Sequence, residues 1–494
     1  MGLNRRGVLS VIGFVAVLQL CNLASANLVF KVVHKFGSNK WSLNTLTSHD
    51  AHRHGRLLAA AELPLGGDRS PTSAALVLSL INAYFCLYYT KITIGSPPNP
   101  YHVQVDTGSD LLWVNCIECD TCPTKSDLGV PLLLYDPEGS CTSRKVPCDD
   151  EWCKKTFEGA DDKIECKPGM LCPYACKYGD GSSTSGYFVT DAIHIAKVSG
   201  DGQTSILSGN VTFGCGAKQS GELTSSEQAL DGIIGFGQSK TSVLSQLAET
   251  KKVKKVFSHC LDGNKGGGMF AIGEVVEPKV KTTPIMDDRT HYNVELTAID
   301  VNGEKLKLPT SIFDFMKNEG AIVDSGTTLA YFPDEVYKQL MEKIMAAQPD
   351  NKPHTVEKSF KCYKYSGNID EGFPLITLHF KNNLPLKVYP RQYFFAVEDE
   401  WCIGFMNSNL QGKDGDDLTL LGDLVLSDKL VTYDIENQVI GWTDYNCSSS
   451  IKVKDEETGN VYEVVARDLS SSHYVCNSRM ILGLLLFLAV ALIN

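Results

Sequence analysis

Two short stretches hold residues suited to acid–base chemistry: Val103-Gln104-Val105-Asp106-Thr107-Gly108-Ser109 and, a domain's length further on, Ala321-Ile322-Val323-Asp324-Ser325-Gly326-Thr327. Each reads as an apolar strand ending in a carboxylate. The small hydroxyl residue and the glycine let the backbone turn sharply just after it, and the hydroxyl at the fourth position can hydrogen-bond to the carboxylate. A single copy would describe an ordinary turn. Two copies, each behind an apolar strand, point to an internal duplication that brings Asp106 and Asp324 together.

Paired carboxyls suit the hydrolysis of an amide. The ionised member takes a proton from water as general base, and the protonated member polarises the carbonyl. Like charges a few ångströms apart resist joint ionisation, so such a pair titrates in two separated steps that belong to the pair. No covalent intermediate, metal or cofactor is needed. A serine or cysteine nucleophile is the competing chemistry, but the chain has no Gly-x-Ser-x-Gly elbow, and disulfide-committed cysteines are poor nucleophiles.

The elements that must position the two loops are short. From Tyr88 onward, β-branched and aromatic runs such as Tyr89–Ile94, Val211–Phe213 and Tyr292–Leu296 alternate with Gly, Pro, Asn and Asp, which predicts an all-β fold. Helical signals are few; the clearest opens at Pro333 and runs through Met341. The duplication predicts an N-terminal lobe over 88–283 and a C-terminal lobe over 284–447, with the reaction in the cleft between them. Such a cleft takes an extended peptide, so endopeptidase chemistry and a protein or peptide substrate are expected.

The ends read as processing signals. Residues 1–26 fit a secretory signal peptide: Arg5 and Arg6, an apolar run from Val8 to Leu20, then Ala24-Ser25-Ala26. Residues 27–87 read as a basic pro-segment, suited to holding an acidic body shut at neutral pH. The strongly apolar stretch 74–87 does not fit that reading. Residues 448–479 read as a polar stalk, and 480–494 as an apolar tail. Small residues Ser470, Ser471 and Ser472, a short spacer and that tail give the order of a glycosylphosphatidylinositol (GPI) attachment signal. The tail is shorter than a bilayer span.

In the secretory pathway most of the 17 cysteines should pair. Cys116-x2-Cys119-x2-Cys122 lacks the partner ligands of a zinc site, so no metal is expected. Asn210 and Asn446 open glycosylation sequons. Formal net charge is −12 although the first 70 residues are net basic. The body is therefore acidic, which argues against nucleic acid as a partner and suits either work at low pH or simple solubility.

On these motifs the chain resembles the pepsin-like aspartic endopeptidases, and within them the plant nepenthesin-like, GPI-anchored cell-surface branch, from about Leu87 to Cys447. Tyr178, Gly179 and Asp180 look like the flap over substrate. Trp113 is similar to the tryptophan beneath the flap tyrosine. Leu230–Gly235 and Thr419–Asp423 look like the apolar-apolar-glycine segments behind each aspartate.

The resemblance implies a bilobal fold of two duplicated lobes, a monomer on the outer membrane leaflet, and Asp106 and Asp324 as the catalytic pair. Thr107, Gly108, Ser109, Ser325, Gly326 and Thr327 would support them. It also implies disulfides Cys116–Cys119, Cys122–Cys215, Cys148–Cys172, Cys153–Cys166, Cys260–Cys447 and Cys362–Cys402. Cys141 and Cys176 are extra to that pattern and are expected to bond to each other. The alternative from another class is a catalytically inactive relative that acts as a binding or inhibitor protein. Relatives of that kind typically carry a damaged aspartate loop or flap.

Overall fold

The computed structural model describes residues 28–34 and 88–464, apart from 159–165, 179–181, 199–203, 228, 264–266, 357–359, 398, 409–417 and 456–458. The signal peptide, most of the expected pro-segment, the glycines of the flap tip, the serines proposed for lipid attachment and the apolar tail lie outside these residues. Among the described residues no helix is long and apolar enough to cross a membrane.

Strands dominate, as the alternating sequence predicts. The backbone of the molecule is a 14-stranded sheet that joins both halves of the chain. From one edge it runs through Lys281–Pro284, Val439–Asp444, Lys429–Asp434, Val256–Leu261 and Gly268–Ile272. It continues through Leu28–His34 and Tyr88–Ile94 to the first aspartate strand, Asn99–Asp106. Beyond that lie Gly232–Gly235, Trp113–Asn115 and the long hairpin Ser183–Val198 with Thr204–Ser220. The halves therefore share a spine, and residues 256–284 pair with the second half as closely as with the first.

The duplication is visible in the strand order around each aspartate. Asn99–Asp106 lies parallel to Gly232–Gly235, which runs antiparallel to Trp113–Asn115. Ala321–Val323 lies parallel to Leu420–Leu421, which runs antiparallel to Ala330–Phe332. Each apolar-apolar-glycine segment thus passes directly behind its aspartate loop. Its glycine is required there: a Cβ on Gly235 would lie 2.4 Å from the Asp110 carbonyl carbon, and one on Gly422 2.3 Å from the Leu329 oxygen. Helix Asp334–Ala346 forms where expected, with Pro333 one residue ahead of it as cap, and buries Val336, Leu340, Met341 and Ile344 on one face.

The disulfides differ from the expected pattern in the first lobe. Cys116 bonds Cys215 and Cys119 bonds Cys122, in place of Cys116–Cys119 and Cys122–Cys215. Strand register explains this. Trp113–Asn115 lies parallel to Gly214–Gly216 with Val114 opposite Cys215, so Cys116 emerges beside Cys215. Cys148 bonds Cys166 and Cys153 bonds Cys172, in place of Cys148–Cys172 and Cys153–Cys166. Cys153 is the buried residue of the short helix Glu151–Thr156 and shares an apolar cluster with Cys172. Cys260–Cys447 and Cys362–Cys402 are joined as the resemblance implies. No disulfide joins Cys141 to Cys176. Cys141 lies in an exposed turn whose N–H donates to Ser96 O, whereas Cys176 sits on the flap hairpin opposite Thr184.

Residues 448–479 are not a stalk throughout. Ile451–Lys454 and Val461–Val464 form a hairpin that adds to Val275–Glu277 as a three-stranded sheet. Ile451, Val453 and Val464 are buried against Cys260, Met269, Ala271, Leu430 and Cys447. Alternation of apolar and charged residues, Ile451-Lys452-Val453-Lys454, is what gives the hairpin an inner and an outer face. Val453→Asp should cost about 2–4 kcal/mol, the scale of burying an unpaired charge, and lower the melting temperature. Val461→Asp, at a half-exposed position, should change it little. Equal, negligible effects in thermal melts would mean that the hairpin is undocked.

Candidate active site

Asp106 and Asp324 are fully buried, and their loops are built alike. Gly108 N–H donates to Asp106 Oδ1 at 2.8 Å, and Ser109 Oγ donates to Oδ2 at 2.7 Å. Gly326 N–H donates to Asp324 Oδ1 at 2.9 Å, and Thr327 Oγ1 to Oδ2 at 2.6 Å. Each carboxylate is thus held by the turn that its own glycine makes possible, and each oxygen of the pair is oriented before substrate arrives.

The two loops meet. A Cβ on Gly108 would lie 2.7 Å from Cγ and both oxygens of Asp324. The Asp324 carboxylate therefore rests against the same glycine whose N–H holds Asp106, and only a residue without a side chain fits between them. Ser325 N–H donates across the lobes to Thr107 Oγ1 at 2.8 Å. A second bridge runs behind the loops. Phe236 N–H donates to Asp106 O, Tyr292 OH donates to Phe236 O at 2.6 Å, and Val323 N–H donates to Tyr292 O.

Tyr178 packs on Trp113, seven residues after Asp106. Its phenol oxygen accepts a hydrogen bond from Trp113 Nε1 at 2.6 Å, and both rings are buried with Tyr174, Phe188 and Ile233. Tyr178 N–H donates to Ser182 O, which pins the base of the hairpin. Gly179 and Asp180 lie outside the described residues. Asn210 and Asn446 are exposed, far in sequence from either loop. Among the described residues, one group of potential metal ligands converges, Cys116, Glu118 and Cys215, and its two sulfurs are bonded to each other.

The structure gives Thr107, expected as loop support, a partner in the other half, and it brings to the site two residues that the sequence reading passed over, Tyr292 and Asp110. Thr107 does more than turn the chain, because its hydroxyl accepts the bridge from Ser325. Tyr292 was read only as part of a strand. Asp110, directly after the first motif, carries a carboxylate whose Oδ1 accepts from Ser239 N–H at 2.8 Å and lies against Gly237. It ties the loop after Gly235 to the aspartate loop. Its position in the motif was the available signal.

Asp110 is also a titratable group that its surroundings perturb. Desolvation pushes its carboxyl up to about 6, with the Ser239 N–H opposing the rise and negative charge at Asp106 adding to it. The folded protein then holds this proton more tightly than the unfolded chain does. Stability tied to Asp110 is fully present below the ordinary carboxyl value of 3.8 and is lost as pH rises towards about 6. Asp110→Asn should therefore flatten the pH dependence of the melting temperature between pH 4 and 7, raising it relative to the parent at the upper end. Parallel melting curves for parent and variant across that range would show that Asp110 titrates normally.

The sequence and the architecture both have counterparts among known proteins. A family described as xylanase inhibitor N-terminal matches residues 88–274, and its companion, xylanase inhibitor C-terminal, matches 291–444. Aspartic proteinase 39 of Arabidopsis thaliana is 50% identical over 473 residues, covering 96% of this chain and 95% of its own. Aspartic proteinase 36 of the same plant is 48% identical over 460 residues, covering 93% and 91%. Aspartic proteinase nepenthesin-1 of Nepenthes gracilis is 27% identical over 378 residues, covering 74% and 78%. Among solved structures, one titled crystal structure of edgp superposes with a TM-score of 0.60 at 16% identity, covering 85% of this chain and 95% of that one. That last likeness speaks to the fold alone. Two motif-bearing halves, two matched domains and relatives identical at half of their positions make this chain a member of the plant pepsin-like aspartic protease family.

Proposed function

We propose that the protein is an active aspartic endopeptidase that cuts peptide bonds in acid. The observation that carries this reading is the pair of carboxylates flanking Gly108, each oriented by two hydrogen bonds from its own loop. A carboxyl pair so placed activates one water between them. The ionised aspartate removes the water's proton while the other donates a hydrogen bond to the scissile carbonyl, and the proton then passes to the leaving nitrogen. Tyr178, parked on Trp113, is the group that closes over an extended substrate and excludes bulk water. The reaction calls on no metal or cofactor.

A second reading is favoured by the xylanase-inhibitor description of the matched family: a binding protein without turnover. Intact Asp106, Asp324 and Tyr178 weigh against it. Purified protein incubated with denatured protein at acidic pH separates the two, because an inhibitor gives no cleavage. Asp106→Asn and Asp324→Asn should each reduce cleavage by at least about 10²–10⁴-fold, the scale of general acid–base catalysis, with the melting temperature nearly unchanged. Pepstatin, a transition-state mimic for such enzymes, should block the parent. Substantial turnover by either variant would remove the pair from the mechanism.

The reading extends to location. A signal peptide over 1–26, glycosylation at Asn210 and Asn446, and lipid attachment near Ser470, Ser471 and Ser472 would place the enzyme, as a monomer, on the outer face of the plasma membrane. The nepenthesin-like, GPI-anchored branch is the one these features suit. Phosphatidylinositol-specific phospholipase C should release it from intact cells in soluble form. Protein that resists this enzyme and requires detergent retains a membrane helix, and protein already free in the medium has no anchor.

A further inference from the structure

Behind the aspartate loops, His259 lies buried in Val256–Leu261, the strand that pairs the first half of the chain with the second. Phe257 lies opposite Tyr433 of Lys429–Asp434, and His259, two residues on, shares their face of the sheet. Its Nε2 is 3.2 Å from the Tyr433 phenol oxygen, with the two rings 5.6 Å apart. Nδ1 has no partner among the described residues. A polar atom buried without a partner is costly, so an imidazole is a poorer core filler than an apolar ring. What it adds here is the bond to Tyr433.

Tyr433 touches both bridges between the loops. Its hydroxyl has the Thr107 side chain as a hydrogen-bonding neighbour and lies in the field of the Asp324 carboxylate. Its ring meets Tyr292 edge-on at 4.7 Å and stacks on Phe257 at 4.4 Å. Thr107 Oγ1 accepts from Ser325 N–H, and Tyr292 joins Phe236 O to Val323 N–H. Desolvation pushes the His259 imidazole down to about 3, so it carries a single N–H in the mildly acidic range of the proposed reaction. Placing that hydrogen on Nε2 leaves only a lone pair unpaired at Nδ1, which costs less than an unpaired buried N–H. Nε2–H then donates to the Tyr433 oxygen, and the phenol hydrogen points away from the histidine, towards Thr107.

We propose that His259 and Tyr433 are positioning residues for the aspartate pair: they fix the Thr107 hydroxyl and the Tyr292 ring, and through them the spacing of the two loops. They act through those two residues rather than on the reacting atoms. Both belong to the sheet that joins the halves, so they carry its geometry to the loops. The inference rests on the endopeptidase reading.

The test compares kcat and KM on a peptide substrate at acidic pH, together with the melting temperature, for the full secreted protein and its variants. Tyr433→Phe removes only the phenol oxygen, and His259→Leu removes its partner without adding charge. Each should lower kcat by about 10–10²-fold, the scale on which small misplacements of reacting groups act, and leave KM within about twofold. His259→Gln, whose amide can hydrogen-bond to the phenol, should recover most of the kcat lost in His259→Leu. The double variant should be no slower than Tyr433→Phe alone, because both changes remove the same bond. Lower melting temperatures with kcat at the parent level would overturn the proposal and leave the pair a core contact. So would equal losses in His259→Gln and His259→Leu, or a loss that appears in KM instead. A parent that cleaves nothing would remove the endopeptidase reading and this inference with it, whereas a cleaving parent matched by Tyr433→Phe removes this inference alone.

Discussion

The structure depends on one electrostatic constraint: two carboxyl groups that resist joint ionisation must stay adjacent in a buried site. Repulsion between ionised forms and the desolvation of each both make that arrangement costly, so geometry has to come from elsewhere. It comes from Gly108, which leaves no side chain between them, and from the Ser325 N–H to Thr107 Oγ1 bond that locks one loop to the other. Tyr292 repeats the lock one layer deeper. None of these contacts is strong alone. Together they make separation of the aspartates equivalent to separation of the lobes, which the shared sheet opposes.

Much of the site was readable because its chemistry is compressed into contiguous residues. The carboxylate, the turn glycine and the hydroxyl that holds the carboxylate lie within four positions, and each copy follows its own apolar strand. The all-β fold was readable for a similar reason, since period-two alternation and turn residues recur throughout. Contacts between the copies were not. Nothing in Thr107 or Tyr292 as a residue type announces a partner more than fifty positions away, whereas Asp110 adjoins the motif and could have been weighed.

Where the structure departs from the sequence reading, strand register decides over composition and proximity. Cys116 and Cys119 are neighbours in sequence, but the parallel pairing of Trp113–Asn115 with Gly214–Gly216 puts Cys116 beside Cys215. The charged run after Cys447 suggested a solvated stalk, yet every second residue of Ile451–Lys454 is apolar and finds a core. Leu28–His34 has the same alternation, with Leu28, Phe30 and Val32 on one side.

The bond between Cys260 and Cys447 closes 187 residues, essentially the whole second half, into one covalent loop. Cys260 sits on the sheet spine, in Val256–Leu261, which pairs with Lys429–Asp434, and Cys447 follows the next strand, Val439–Asp444. A tension applied beyond Cys447 reaches that spine through sulfur before any strand of the second half is stretched. Asp324 lies inside the loop and is shielded from the pull, while the docked hairpin after Cys447 lies outside it and is the element that peels first. A pull from the C-terminal side thus has a covalent path that bypasses the segment carrying Asp324.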